Sequence, residues 1–135
     1  MSLETLLEDF ALFDDWEDRY RFIIELGNGL APLSDAEHNE ANKVPGCVSQ
    51  VWLVTEAQDD RLHFRGDSDA HIVRGLVAIL LDLYNGKSRA EIAAFDAEGA
   101  FAQLGLSDHL TPQRSNGFYA MVQRIRNDAA AAAAD

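Results

Sequence analysis

The sequence predicts an α+β domain in which a small antiparallel sheet of about three strands packs against several helices. Two patterns indicate this. Apolar residues recur at helical spacing near both ends of the chain, and a stretch rich in β-branched and aromatic residues is followed by one that alternates polar and apolar. The chain has 135 residues, of which 47% are hydrophobic, and this suits one core. Residues 1–135 are therefore predicted to form a single domain.

Two short helices are predicted at the N-terminus. The first has one apolar stripe, formed by Leu3, Leu6, Leu7 and Phe10. Asp14 is placed to cap the second helix, with Glu17 three residues later as in a capping box. Its inward face is predicted to carry Trp16, Tyr20, Ile23 and Ile24. The Gly27-Asn28-Gly29 cluster offers left-handed positions that would end this helix.

A β-hairpin is predicted in the middle of the chain. It follows a polar loop over residues 30–43 that contains at most a short edge strand before Pro45. Residues 48–55 are rich in β-branched and aromatic types, residues 61–65 alternate polar and apolar, and the turn falls between them. Because the first strand is apolar on both faces, we predict that it is the central strand.

The second half of the chain is predicted to be mainly helical. After an Asp67-Ser68-Asp69 cap, residues 72–84 are apolar nearly all round, as in a buried helix, and Asn85-Gly86 ends it. Ser88 and Glu91 are spaced as a capping box for a short helix through Phe95.

Two further helices complete the prediction. One covers residues 98–104 and ends at Gly105. Thr111-Pro112 and Ser115 are start signals for the last helix. The apolar face of this helix includes Phe118, Met121, Val122 and Ile125. The Ala-rich segment 129–135 has nothing large to bury, so we expect it to fray.

The charge of the chain disfavours nucleic acid as a partner. There are 23 acidic and 11 basic residues, giving a net charge of -12, whereas affinity for nucleic acid depends largely on Lys and Arg. Residues 1–60 hold 14 of the acids and 3 of the bases. This acidic half is either a solvated surface or a means of steering toward a basic partner, and charge alone does not decide between them.

Several other classes of protein are disfavoured. One cysteine excludes an internal disulfide and a cysteine-cluster metal site. The four histidines are too scattered to suggest a metal site, and no phosphate-loop, HExxH or dinucleotide motif is present. The N-terminus lacks a signal-peptide pattern, and the longest apolar stretch, 72–83, is far short of the ~20 residues that span a bilayer. We predict a cytoplasmic protein without a resident metal.

The single cysteine, Cys47, is the residue best placed for chemistry. Lone cysteines are often inert, buried hydrophobes, and this alternative stays open. Pro45 fixes φ and Gly46 permits unusual backbone angles, so the pair predicts a sharp turn that presents Cys47 at a loop tip just before a strand. A loop carried by a rigid strand is a favourable place for a nucleophile.

Four motifs follow one another along the chain. They are Trp16 with Arg19-Tyr20 and Ile24-Glu25-Leu26-Gly27; Pro45-Gly46-Cys47 with Ser49-Gln50-Val51-Trp52-Leu53; Gly66-Asp67-Ser68-Asp69-Ala70 with Ile72-Val73 and Gly75-Leu76; and His109-Leu110-Thr111-Pro112 with Arg114-Ser115-Asn116-Gly117. In order and spacing they resemble the SufE family, sulfur acceptors for cysteine desulfurases in iron-sulfur cluster assembly. Val48 departs from the family, where many members have Gln. The implied fold, SufE/IscU-like and shared with cluster scaffold proteins, agrees with the α+β prediction.

The resemblance implies that Cys47 carries sulfur as a persulfide. The donor would be a pyridoxal-phosphate-dependent, SufS-like cysteine desulfurase, and the recipient a SufBCD-like iron-sulfur scaffold. Pyridoxal phosphate would belong to the partner, and no cofactor is expected on this chain. Pro45, Gly46, Gln50 and Arg114 are the expected supporting residues. Arg114 would either supply positive charge to the Cys47 thiolate or pair with a carboxylate.

Two other functions are compatible with these residues. An adaptor of the same fold would bind a desulfurase without carrying sulfur, and it would not require Cys47. A one-cysteine thiol peroxidase is disfavoured because no Thr or Arg stands near Cys47 in the sequence. Stand-alone enzymatic turnover is not expected for the leading function.

Overall fold

The computed structural model describes residues 3–46 and 49–133, and within them it is an α+β fold as predicted. The order of elements is α1 (Leu3–Ala11), α2 (Trp16–Asn28), a 3-10 turn (Asp35–Glu37), β1 (Val51–Gln58), β2 (Arg61–Ser68), α3 (His71–Tyr84), β3 (Lys87–Ser88), α4 (Arg89–Ala94), α5 (Ala97–Gln103), α6 (Leu106–His109) and α7 (Pro112–Ala133).

The sheet is antiparallel, with strand order β1-β2-β3. Val51 pairs with Ser68 at one end of the predicted hairpin and Gln58 pairs with Arg61 at the other. The central strand is β2, so the prediction that the first strand is central was wrong. Both faces of β1 are apolar for another reason: the polar segment after α2 lies over its outer face, where the Trp52 and His38 ring centroids are 4.7 Å apart.

The core is centred on α3, which packs against β2, α2 and α7. Helix α3 is buried along most of its length, as its sequence predicted. Helices α2 and α3 pack so closely that a Cβ added to Gly27 would lie 2.6 Å from the backbone nitrogen of Gly75. Gly27 therefore serves helix packing instead of ending α2. Gly29, which caps the helix, has φ -85°, so the predicted left-handed stop was also wrong.

The structure places the helix caps partly where the sequence predicted them. Asp15, and not Asp14, caps α2, because its carboxylate accepts the Asp18 N–H at 2.9 Å. The cap residue of α3 is Ala70, with no side-chain hydrogen bond, in place of the predicted acidic cap. The capping box of Ser88 and Glu91 at the start of α4 is confirmed.

The last helix is longer and better packed than its composition indicated. It continues to Ala133, and Ala129 is only 4% exposed. Helix α4 packs against α7, and Ala129 lines a pocket together with Ala90 and Ala93 of α4. Ala129 is therefore packed, and fraying of the segment 129–135 stays a prediction. Within residues 3–46 and 49–133, no helix is long and apolar enough to cross a bilayer.

Candidate functional site

The loop around the single cysteine has the predicted glycine turn at its start. Cys47 and Val48 lie outside the described residues, and the residues on either side of them frame the site. Gly46 has φ +88°, a left-handed conformation that glycine adopts without strain. A Cβ at Gly46 would lie 3.4 Å from the Ala120 Cβ on α7. The turn therefore runs directly against the last helix.

The segment before the loop is held against the edge of the sheet. The Val44 N–H donates to the Val51 carbonyl at 2.8 Å, and the Leu53 N–H donates to the Asn42 carbonyl at 2.8 Å. Val44 is only 2% exposed. This short pairing corresponds to the edge strand that the sequence allowed before Pro45, and it fixes the chain three residues ahead of Cys47.

The segment after the loop is held by Gln50. Its backbone N–H and its side-chain amide both donate to the Asp69 carboxylate, at 3.0 and 3.2 Å. Its carbonyl accepts the Ser68 hydroxyl at 2.7 Å. Gln50 is thus held in place directly before β1, and its supporting role in sulfur transfer stays a prediction. Asp69 and Ser68, predicted as a helix cap, instead secure this end of the loop.

A pocket opens beside the loop, between α3 and the beginning of α7. It has a volume of about 310 Å³. Ser49, two residues after Cys47, forms part of its wall together with Val73, Leu76, Thr111, Gln113, Arg114, Gly117, Phe118 and Met121. Most of this wall is apolar, and Arg114 is its cationic member. The fold therefore brings together Ser49 and Arg114, which are 65 positions apart in the sequence.

Arg114 is half-buried in the first turn of α7. Its backbone N–H donates to the Thr111 hydroxyl at 3.4 Å. Its guanidinium forms no ion pair with any carboxylate of residues 3–46 and 49–133. Of the two roles predicted for Arg114, pairing with a carboxylate thus has no support among those residues.

Two of the four histidines make contacts outside the cysteine loop. His38 lies on the outer face of the sheet, with Nε2 2.9 Å from Asp67 and Nδ1 2.8 Å from the Ser34 carbonyl. These contacts, first the one to Asp67, raise the pKa of His38. His109 stacks on Trp16 at 4.0 Å between ring centroids. No cluster of three or more metal-binding side chains occurs in the described part of the chain, and the absence of a metal stays a prediction.

One residue important to the loop was missed by sequence reasoning. Arg124 of α7 donates to the carbonyls of Ala41 and Lys43, at 2.8 and 3.2 Å. The sequence shows only that Asp128 follows Arg124 at helical i,i+4 spacing, which is the pattern of an ordinary surface pair. Backbone carbonyls carry no sequence signature, so these contacts needed the tertiary structure.

Comparison with known proteins identifies the family. The sequence profile of the SufE family, described as an Fe-S metabolism associated domain, matches residues 4–129. The chain belongs to the SufE family. Two SufE-like proteins described as uncharacterized are similar to it. The one from Rhizobium etli is 53% identical, covering 98% of this chain and 93% of the relative. The one from Rhizobium meliloti is 50% identical, covering 95% and 94%.

The fold is also shared with a solved structure. The solution structure of a hypothetical protein from Thermus thermophilus matches with a TM-score of 0.79, covering 98% of this chain and 96% of that one. At 19% identity, this likeness concerns the fold alone. Membership of the SufE family associates the chain with Fe-S metabolism.

Proposed function

We propose that this chain is a sulfur carrier. Cys47 accepts persulfide sulfur from a pyridoxal-phosphate-dependent cysteine desulfurase, stimulates that enzyme, and passes the sulfur to an iron-sulfur scaffold. The observation that supports this most is the pocket beside Ser49, in which the guanidinium of Arg114 lacks an ion-pair partner among the described residues. Family membership supports the link to Fe-S metabolism.

The proposed transfer is an exchange between sulfur atoms. The Cys47 thiolate attacks the outer sulfur of the persulfide on the desulfurase, and a new S–S bond forms. The bond between that sulfur and the desulfurase cysteine breaks, and the cysteine leaves as a thiolate. The reaction consumes the Cys47 thiolate and releases the desulfurase thiolate, so no added oxidant or reductant is required. One thiol is sufficient, since a second thiol within reach would convert the persulfide into a disulfide and release sulfide.

The pocket contributes charge and shielding to this step. A guanidinium close to a cysteine favours the reactive thiolate over the thiol, which is the role we assign to Arg114. The apolar wall formed by Val73, Leu76, Phe118 and Met121 would keep water and small thiols away from a persulfide. In the proposed transfer, this wall shelters the sulfur between reactions and the sulfur moves out of it to attack the partner, with Gly46 as the hinge because the glycine backbone is the least restricted.

The direct test is sulfur uptake from a desulfurase. The protein is incubated with a cysteine desulfurase and L-cysteine, and its intact mass is measured. We expect a gain of one sulfur atom that a reductant removes, and we expect Cys47→Ser to abolish both the gain and the stimulation of the desulfurase. Full stimulation by a folded Cys47→Ser variant would falsify the carrier role and support the adaptor function.

The role of Arg114 is tested separately. Arg114→Gln keeps most of the side-chain length but removes the charge, so we expect sulfur uptake to slow by about tenfold. Arg114→Lys keeps the charge and should retain more of the rate. An unchanged rate in Arg114→Gln would rule out an electrostatic role.

Shielding of the thiol is tested by alkylation. We expect slow alkylation of Cys47 in the free protein, faster alkylation when an inactive desulfurase is bound, and a smaller difference in Gly46→Val. A free Cys47 that alkylates as fast as a small-molecule thiol of similar acidity would exclude shielding and loop opening.

A further inference from the structure

Arg124 of α7 uses every nitrogen of its guanidinium in a contact. Nη2 donates to the Ala41 carbonyl at 2.8 Å and Nη1 donates to the Lys43 carbonyl at 3.2 Å. Nε donates to both oxygens of Asp128, at 3.1 and 3.2 Å. Because the guanidinium is planar and its donors are fixed in direction, this set of partners defines both its position and its orientation.

The two carbonyls belong to a turn over residues 40–43, closed by the Lys43 N–H on the Glu40 carbonyl at 3.3 Å, whose end makes one bridge to β1. The Asn42 carbonyl and the Val44 N–H face β1, where they pair with Leu53 and Val51. The Ala41 carbonyl lies within the turn and the Lys43 carbonyl directly follows it, and both accept from Arg124 of α7. The guanidinium of Arg124 thus supplies donors to two carbonyls that do not pair with β1.

Asp128 connects this contact to the sheet. One of its oxygens accepts the Thr55 hydroxyl at 2.6 Å, while both accept from Arg124. The side chains of Arg124 and Asp128 are only 21% and 24% exposed, so these hydrogen bonds are partly shielded from water. Helix α7, strand β1 and the segment before the cysteine loop are therefore joined through one carboxylate and one guanidinium.

The loop between the two anchored ends is short. Arg124 holds Lys43, four residues before Cys47, and Asp69 holds Gln50, three residues after it. One turn earlier on α7, Ala120 lies against Gly46. The path of the chain into the loop therefore depends on where Arg124 fixes Lys43.

We propose that Arg124 is a positioning residue for sulfur transfer, which sets the stem of the cysteine loop by binding the carbonyls of Ala41 and Lys43. The inference rests on the proposed carrier function. Arg124 does not need to touch sulfur for this role. It acts by limiting the loop to arrangements in which Cys47 can reach the persulfide of the partner.

The test compares Arg124→Ala and Arg124→Lys with Arg126→Gln. Arg126 is the matched control, because it lies on the same helix and is 31% exposed, but contacts Phe95 and Glu98 instead of the loop stem. The rate of sulfur uptake is measured against desulfurase concentration. Each variant is compared per folded molecule, with the folded fraction taken from urea unfolding.

We expect Arg124→Ala to lower the maximal rate by about 10- to 100-fold, with the half-saturating concentration changed by less than about twofold. Arg124→Lys should recover part of the rate, since one amine can still donate to a carbonyl. Arg126→Gln should match the wild type. Equal maximal rates per folded molecule in Arg124→Ala and the wild type would overturn the proposal, even if the variant is less stable.

Alkylation of Cys47 in the free protein separates this proposal from the carrier function. We expect faster alkylation in Arg124→Ala and Arg124→Lys than in Arg126→Gln, because a released stem shields the loop less. If the wild type accepts no sulfur, the carrier function fails, but the alkylation difference still tests the positioning role. Wild-type alkylation rates in both Arg124 variants would refute the positioning role whatever the outcome for sulfur.

Discussion

Replacement of Gly75 by alanine tests the helix packing on which the site depends. Gly75 lies in α3, between the pocket residues Val73 and Leu76. A Cβ at this position would lie 2.2 Å from the Ile23 carbonyl oxygen of α2 and 2.4 Å from the Ile23 Cγ2. Ordinary close contacts between carbon and oxygen are about 3.3 Å or longer. The methyl group therefore fits only if the two helix backbones separate by about 1 Å.

Two opposing effects determine the expected loss of stability. Overpacking that forces backbone movement costs about 3 kcal/mol. Alanine in a helix interior is favoured over glycine by about 1 kcal/mol. The free energy of unfolding should thus fall by about 2 kcal/mol, and the melting temperature by about 8 °C for a domain of this size.

The measurement is urea unfolding followed by tryptophan fluorescence, with Trp16 and Trp52 reporting from α2 and β1. Gly29→Ala is the matched control: Gly29 has φ -85°, and an added Cβ would approach no atom closer than the Leu26 carbonyl at 3.4 Å. We expect this control to remain within about 0.5 kcal/mol of the wild type. The packing argument is refuted if Gly75→Ala is equally stable, or if both variants lose the same amount.

Three further changes test the polar contacts. The pKa of His38 is raised by its hydrogen bond to Asp67, so protonated His38 stabilises the fold below its ordinary value of 6.5, and this contribution is lost as pH rises through the raised value. His38→Gln should therefore lower the urea midpoint more at about pH 6 than at about pH 9; an equal loss at both would contradict this. The hydrogen bond from Arg65 lowers the pKa of Glu37 from 4.5 to about 2, so Glu37 stabilises the fold above 4.5 and loses this effect as pH falls toward 2. Acid titrations should show a weaker pH dependence of stability over that interval in Glu37→Gln, and an unchanged slope would count against the ion pair. Ser88→Ala removes a cap of α4 and should cost about 1 kcal/mol in chemical denaturation, whereas no loss would mean that water replaces the cap.

Local patterns in the sequence were sufficient to predict most of the individual elements. The hairpin, the buried helix over 72–84 and the capping box at Ser88 depend on side-chain periodicity and short-range hydrogen bonds, which neighbouring residues specify. The turn at Gly46 is likewise local, since Pro-Gly restricts one residue and frees the next. The α+β class followed from the order of these elements.

Local sequence patterns did not predict the contacts between distant segments. The apolar faces of β1 suggested a central strand, but burial against a folded loop produces the same pattern as burial inside a sheet. Gly27 looked like a helix stop because glycine serves both left-handed turns and close helix packing, and only the approach of α3 distinguishes the two.

The candidate site was likewise predicted in part from the sequence and determined in part only by the tertiary structure. The sequence by itself determined that the chain has one thiol, that a Pro-Gly turn precedes it, and that its motifs match the SufE family, since these depend on residue identity and order. The tertiary structure decided that Arg114 shares a pocket with Ser49, and that Arg124 binds the carbonyls of Ala41 and Lys43. A guanidinium binds backbone carbonyls or lines a pocket only where the fold places it beside them. These pairs of residues are about 65 to 83 positions apart, and they come together only when the chain folds around one core. Their contacts therefore have no local signature in the sequence.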